Sequence, residues 1–355
     1  MAYSILGWGE PLVEVRTEHL PKAMVLDAPD YPGNLDSAAH SLVGDGLAGF
    51  SGDILNAINA AKHVLTGDNP RNLTGLLTAV GDDNCDCSRQ FIEWLERHGI
   101  DSNDVRRISH SHMGAYFEGY RDELGSFPYA RSGAAFESLT ELQVADAIRR
   151  HESNHVGLII TGITHARTKG RNRVADVLER AKLQGVTTLY AVNFRMSLWG
   201  TRDDESRTNA RVGFRAVAPY IDFCSLGREE AEILLDRAIA ETSRSKRETA
   251  ESVLDLGVRH GAALTGYPEA HMAFRSGKKV HNIERFAPKN ELTGVNTTGA
   301  GDNLTGAFAA LYLISKNVSA SFEGACRIAE MSTTVEGGIY HPPASEIEHS
   351  LSKVR

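Results

Sequence analysis

Short apolar runs alternate with longer amphipathic ones along most of this chain. The run Val156-Gly157-Leu158-Ile159-Ile160 shows no polar alternation, which is the pattern of a strand covered on both faces in a mainly parallel sheet. Runs of this kind predict strands over residues 3–9, 73–81, 114–121, 156–163, 187–194, 222–226 and 261–267. Between them, spacing predicts helices over 53–64, 88–98, 172–183, 229–238, 246–258, 301–314 and 322–336. Val174, Val177, Leu178 and Ala181 show the helical period most clearly, since they fall on one face at 3.6 residues per turn. Repeated strand–helix units imply a three-layer α/β fold with a mainly parallel central sheet. No internal repeat and no low-complexity segment interrupts it.

Two regions break the rhythm. Residues 26–50 are rich in Gly, Pro, Asp and Ser, and an irregular stretch that long reads as functional or mobile. Residues 114–131 read as alternating strands around a turn at Gly125. Lid strands are expected within about 10–25 and 114–131. They form a small β-flap that either closes over a ligand or is an edge hairpin without a role.

Composition narrows the class. The 355 residues are 41% apolar and 24% charged, the balance of a globular protein. The net charge is −8, whereas a nucleic-acid binder carries a basic surplus. No nucleic-acid partner and no membrane is expected, since no stretch reaches 18 apolar residues. The start, Met1-Ala2-Tyr3-Ser4-Ile5-Leu6, reads as a first strand and not as a signal peptide. The four cysteines, Cys85, Cys87, Cys224 and Cys326, form neither a zinc pattern nor a disulfide framework, so a cytoplasmic location is expected. His110 and His112 flank Ser111 and read as polar loop residues.

The strongest chemical signal is Asn296-Thr297-Thr298-Gly299-Ala300-Gly301-Asp302, followed at once by an apolar helical stretch. Glycines admit a charged ligand close to the backbone. A helix start offers unpaired N–H groups and the positive end of the helix dipole to an anion. An acid beside such a site, Asp302, can take a proton from a hydroxyl as it attacks a phosphorus held nearby. The plainer reading of Asp302 is a helix cap. A Walker loop is excluded, because no Lys follows Gly299 or Gly301. The Gly44-Asp45-Gly46-Leu47-Ala48-Gly49 run matches a dinucleotide fingerprint by letter. It lacks the preceding strand that such a fingerprint needs.

The 297–302 motif closely resembles the C-terminal signature of the ribokinase/PfkB family of carbohydrate kinases. Ser51-Gly52-Asp53-Ile54-Leu55-Asn56 resembles that family's N-terminal substrate motif, and Thr78-Ala79-Val80-Gly81-Asp82-Asp83 resembles its following strand and turn. Within the family, the 2-keto-3-deoxygluconate kinases are most similar. Gly7-Trp8-Gly9-Glu10, Ala115-Tyr116-Phe117, Tyr129-Ala130-Arg131-Ser132-Gly133 and Asn193-Phe194-Arg195-Met196-Ser197-Leu198-Trp199 carry that likeness. The resemblance implies one ribokinase-like domain over 1–355, with Asp302 as base and Gly299, Ala300 and Gly301 stabilising the transferred group. It implies that Gly52, Asp53, Asn56, Tyr116, Tyr129, Arg131 and Arg195 hold a sugar acid. Asn193, Thr298, Gly299 and Gly301 would contact ATP, and Glu230 would serve Mg²⁺. K⁺ is a further implied cofactor, and a homo-oligomer through the flap an implied assembly. Independently, Arg offers a planar fork to a carboxylate, and Tyr an apolar face with a hydroxyl.

The chain departs from the family where nucleotide and metal are handled. Asn296 and Ala191 stand where the family has Asp, Gly227 where it has Asn, Thr265 where it has Lys, and Ser51 where it has Gly. Loss of one charge-stabilising group commonly costs about 10²–10³ in rate. Two functions therefore stay open: an ATP-dependent sugar-acid kinase, and a sugar-acid-binding protein on the same fold that has lost turnover. A kinase of neutral sugars is a third.

Overall fold

The unbroken apolar strand predicted near residue 156 lies in the middle of the main sheet, where neither face meets water. The structure is a computed structural model. It describes residues 2–16, 48–65, 73–118, 129–151, 155–168, 173–266, 269–286, 297–335 and 339–354. Elements are numbered in chain order within these residues. The nine-stranded sheet runs β13 (Lys279–Phe286), β12 (Glu269–Ser276), β11 (Gly261–Leu264), β10 (Phe223–Leu226), β9 (Thr187–Ala191), β8 (His155–Thr161), β1 (Tyr3–Trp8), β4 (Leu73–Gly81) and β5 (Val105–Ile108). All neighbours from β11 to β5 pair in parallel; β12 and β13 add an antiparallel edge.

Helices cover both faces. On one side lie α1 (Asp53–Leu65), α2 (Asp86–Arg97), α9 (Ala300–Ser315), α10 (Val318–Ser332) and α11 (Ala344–Val354). They bury Ile54, Ile58, Phe91, Leu304, Phe308 and Phe322 in one core. On the other lie α3 (Glu141–Arg150), the short α4 (Gly162–Arg167), α5 (Arg173–Leu183), α6 (Asp203–Val217), α7 (Arg228–Leu235) and α8 (Ser243–Leu254). There Val144, Val177, Phe214, Leu234 and Val253 form the second core. The expected three-layer α/β architecture is thus present.

A second sheet has the order β3 (Ala48–Ser51), β2 (Leu12–Arg16), β6 (Gly114–Glu118) and β7 (Tyr129–Ala130). The expected β-flap is therefore real: β6 and β7 pair antiparallel, with Tyr116 opposite Tyr129. The Gly125 turn and most of the irregular 26–50 segment lie outside the described residues. Of the glycine-rich 44–49 run only the end is described, and Gly49 sits in β3, not at a helix start.

Some boundaries differ from the sequence reading. The strand expected over 156–163 stops at Thr161, and the chain turns into α4. Thr161 Oγ1 accepts from the Thr164 amide at 3.1 Å and caps the new helix. The edge strand β5, the polar hairpin β12–β13 and the charge-rich α3, α6 and α11 were not anticipated. Their apolar positions are too sparse to mark a period, and packing against the sheet decides them.

One contact places the site. A Cβ added at Gly306 on α9 would fall 1.8 Å from the Ala57 carbonyl on α1. The bare glycine lets the two helix backbones touch and brings their first turns together.

Candidate active site

β3 ends at Ser51, and the chain must reverse before α1. Gly52 makes that reversal at φ +116°, with a hypothetical Cβ 3.0 Å from the Glu10 carbonyl. Few L side chains adopt such a conformation. Asp53 then opens α1, accepting from the Ile54 amide at 2.8 Å and hydrogen-bonding Thr161. Asn193 Nδ2, on a residue held at φ 27°, lies 3.4 Å from Asp53 Oδ2. Asn56 follows one turn later on the same face.

Asn56 Nδ2 donates to Asp302 Oδ2 at 3.0 Å, across 246 residues of sequence. Asp302 sits in the first turn of α9, three residues after the Gly299 cap. The Ala300 amide turns back to the Thr297 carbonyl at 3.2 Å. The three-residue cradle expected from sequence is thus reduced: Ala300 is already engaged. Gly301 is exposed, and a Cβ there would meet nothing within 4 Å. Its amide faces an open, electropositive helix end of the kind that suits an anion. Thr298 lies in the turn before it.

Carboxylates crowd this point. Burial, then the charge of Asp53, pushes the Asp302 carboxyl up to about 8; Asn56 and Arg195 oppose this, and Glu230 adds to it. Burial likewise raises Asp53, against Thr161, Arg131, Ile54 and Arg195. Arg195 is hydrogen-bonded to Tyr129 and faces Asp302 and Asp53. Glu230 accepts from the Gly227 amide at 2.5 Å and the Phe194 amide at 3.1 Å. It is the reciprocal cap of α7. Each of its oxygens thus already accepts one backbone hydrogen bond. Among the described residues no group of three or more His, Cys, Asp or Glu side chains is arranged to hold a metal ion.

The expected sugar-acid residues line the adjoining wall. Arg131 is 7% exposed, and its guanidinium lies 3.9 Å from the centroid of the Tyr129 ring. Contrary to a freely available fork, it already faces Glu10, at 3.7 Å. Arg167 shares that carboxylate at 3.4 Å, pairs with Glu137 at 2.9 Å, and donates to the Arg131 carbonyl at 3.1 Å. Burial raises the Glu10 carboxyl against both arginines. Arg131 Nη1 remains buried with no hydrogen-bond partner, a costly state that an arriving carboxylate would relieve. The Tyr116 hydroxyl donates to Glu14 and lies 3.2 Å from Ser51 Oγ.

Gly52, Asp53, Asn56, Arg195 and Asp302 thus converge, and Tyr116, Tyr129 and Arg131 border them. Sequence reasoning missed Glu14, Thr161 and Arg167 as members of this cluster. Glu14 carried a signal, because an acid between Val13 and Val15 in a flap strand must face either water or the site. Asn296 lies outside the described residues.

A family model described as pfkB family carbohydrate kinase matches residues 30–345. A 5-dehydro-2-deoxygluconokinase of Clostridium beijerinckii is 24% identical over 224 residues, 61% of this chain and 60% of that protein. The match thus spans about six tenths of that relative's length. A 2-dehydro-3-deoxygalactonokinase of Haloferax volcanii is 24% identical over 266 residues, 74% of this chain and 77% of that protein. Among solved structures, the 2-dehydro-3-deoxygluconokinase of Thermotoga maritima superposes with a TM-score of 0.69 at 17% identity, covering 98% of this chain and 99% of that one. A putative ribokinase II of E. coli in complex with ATP and Mg²⁺ gives 0.70 at 18% identity, covering 99% of each chain.

Proposed function

The chain belongs to the pfkB family of carbohydrate kinases, and from that premise we propose that it transfers the γ-phosphoryl group of ATP to a hydroxyl of a dehydro-deoxy sugar acid. The observation that carries this reading is the meeting of Asp302 and Asn56 at the open start of α9, beside a buried arginine with a spare donor. The names of the relatives denote kinases of such acids.

In this reading Arg131 receives the acid's carboxylate, and the Tyr129 ring flanks the sugar chain. Gly52 and Asn56 orient the hydroxyls. Asp302 takes the proton from the attacking hydroxyl, and Asn56 steadies the carboxylate that does so. The Gly301 amide and the helix end face the charge that develops on the transferred group. Mg²⁺ bound with ATP would neutralise part of the polyphosphate charge. Glu230 supports that ion through water, and Asn193 and Thr298 border the nucleotide. K⁺ beside the 297–302 turn completes the proposed cofactors. The small sheet forms the lid of a single catalytic unit. Cys85, Cys87, Cys224 and Cys326 are buried thiols outside any disulfide, which fits a cytoplasmic setting.

A screen for ADP release across sugar acids and neutral sugars, with Mg²⁺ and K⁺ varied, tests the proposal. Turnover with a dehydro-deoxy acid and little with its neutral counterpart is expected. Turnover with neutral sugars alone removes the carboxylate. The altered positions Ala191, Gly227 and Thr265 favour one rival, a binding protein without turnover. Calorimetric binding of the acid with no ADP release under any condition would replace the kinase by that rival.

A further inference from the structure

A chain of side chains joins the small sheet to Asp302, and phosphoryl transfer as described uses only its last link. Register places Glu14 on β2 opposite Tyr116 on β6. Tyr116 donates to Glu14 Oε2 and lies 3.2 Å from Ser51 Oγ. Ser51 donates to Asn56 Oδ1 at 3.1 Å, and Asn56 Nδ2 donates to Asp302 at 3.0 Å. Glu14, Tyr116, Ser51 and Asn56 are each no more than 5% exposed.

The protons in this chain can be counted. Tyr116 and Ser51 each hold one hydroxyl proton, and the Asn56 amide donates at one end and accepts at the other. With both carboxylates ionised, Tyr116 donates to Glu14, Ser51 to Asn56 and Asn56 to Asp302. No proton is then left between Tyr116 and Ser51. A proton arriving on Asp302 changes the pattern through a half-turn of the Asn56 amide. Asp302 donates to the amide oxygen, the amide to Ser51, Ser51 to Tyr116 and Tyr116 to Glu14. Every contact is then filled, and filled buried chains reinforce one another.

We infer that Glu14 and Ser51 are positioning residues: by setting the direction of this chain they favour Asp302 in the form that carries the proton it removes from substrate. The inference rests on Asp302 being the base. Ser51 is central to it, because the glycine of the resembling motif would leave Asn56 without its hydroxyl partner. The charged groups that otherwise face Asp302 are Asp53, Arg195 and Glu230, none of which the test alters.

The test follows the Asp302 carboxyl itself. Full-length protein carrying ¹³C at its aspartate carboxyls is titrated by NMR, with the Asp302 signal identified by its loss in Asp302→Asn. Glu14→Gln supplies a donor where Glu14 accepts, so Tyr116 can turn to Ser51 and the chain is complete with Asp302 ionised. The Asp302 midpoint should fall by about one pH unit, the worth of roughly one hydrogen bond. Ser51→Ala cuts the chain and should lower the midpoint similarly, while the double variant should go no lower than either single. The acidic limb of kcat/KM for the sugar acid should move with it. Equal midpoints in all four proteins overturn the inference, and so do shifts that simply add. Should Glu14→Gln fail to fold, Ser51→Ala alone decides, since it leaves the Glu14 charge in place and an unmoved midpoint refutes the coupling. Midpoints that move in a protein releasing no ADP with any sugar acid keep the coupling but overturn its place in catalysis. Turnover with unmoved midpoints keeps the base and overturns the chain.

Discussion

Asp302, the proposed base, also carries a cost in stability. As a base it must be ionised, and removing a general base typically lowers rate by about 10²–10⁴. Asp302→Asn should lose that much kcat in steady-state assays, with modest change in acid binding by calorimetry; equal rates in variant and parent would end its role. The same carboxyl stands at about 8 in the folded chain against an ordinary 3.8. A folded-state value above the unfolded one contributes stability at low pH that is lost as pH rises through it. Between about pH 4 and 8 the parent should therefore lose ground to Asp302→Asn in thermal melts, and the gap should be widest above pH 8. A gap that narrows over that range would contradict the assignment. At Arg131, loss of a charge-assisted bond worth about 1.5–3 kcal/mol should raise KM for the acid roughly 10- to 100-fold in Arg131→Ala. Turnover of a neutral sugar should change far less. The sequence disclosed Arg131 but not its company. Glu10 and Arg167 approach it only through tertiary contact, which no spacing encodes.

At the level of elements, two glycines on one helix make opposite predictions. Gly306→Val drives a side chain into the Ala57 carbonyl and should cost about 3 kcal/mol or more in denaturant titration, taking activity with it. Gly301→Ala meets open space and should keep or raise the melting temperature, since Ala is the better helix former. The added methyl should nevertheless weaken ATP binding in calorimetry, because it stands where an anion would approach. The reverse result would misplace the nucleotide. Legibility followed the same division. The central parallel strands announce themselves because both faces are buried, as at Val156–Ile160, whereas the parallel edge strand β5 exposes Arg106 and Arg107 and does not. Hairpin β12–β13 and helices α6 and α11 are half-exposed, so their polar faces dilute the period. The 297–302 motif was legible because a helix start demands particular residues in a fixed order. The side-chain chain from Glu14 to Asp302 was not, because its members come from five separate elements.

For the whole molecule, the two sheets supply different halves of one site. The small sheet brings Glu14 and Tyr116, and the main sheet with its helices brings Asp53, Asn56, Arg195 and Asp302. A ligand that bridges them should stabilise the entire fold. With acid at 100 times its dissociation constant, the gain should be about 2.7 kcal/mol, read as a rise in melting temperature. No rise at such a concentration would mean that the wall around Arg131 is not where the acid binds. Among the described residues no helix is long and apolar enough to cross a membrane.

The 246-residue gap between Asn56 and Asp302 has a consequence for the way the protein is made. A ribosome that has released only the first 290 residues has already produced Asn56, Arg131 and both tyrosines, yet not the helix that carries the acid. Such an unfinished polypeptide lacks Asp302 and also Leu304, Phe308 and Phe322 of one core. If Asp302 is the base, phosphorylation waits until late synthesis has supplied α9 and its backbone has docked on α1.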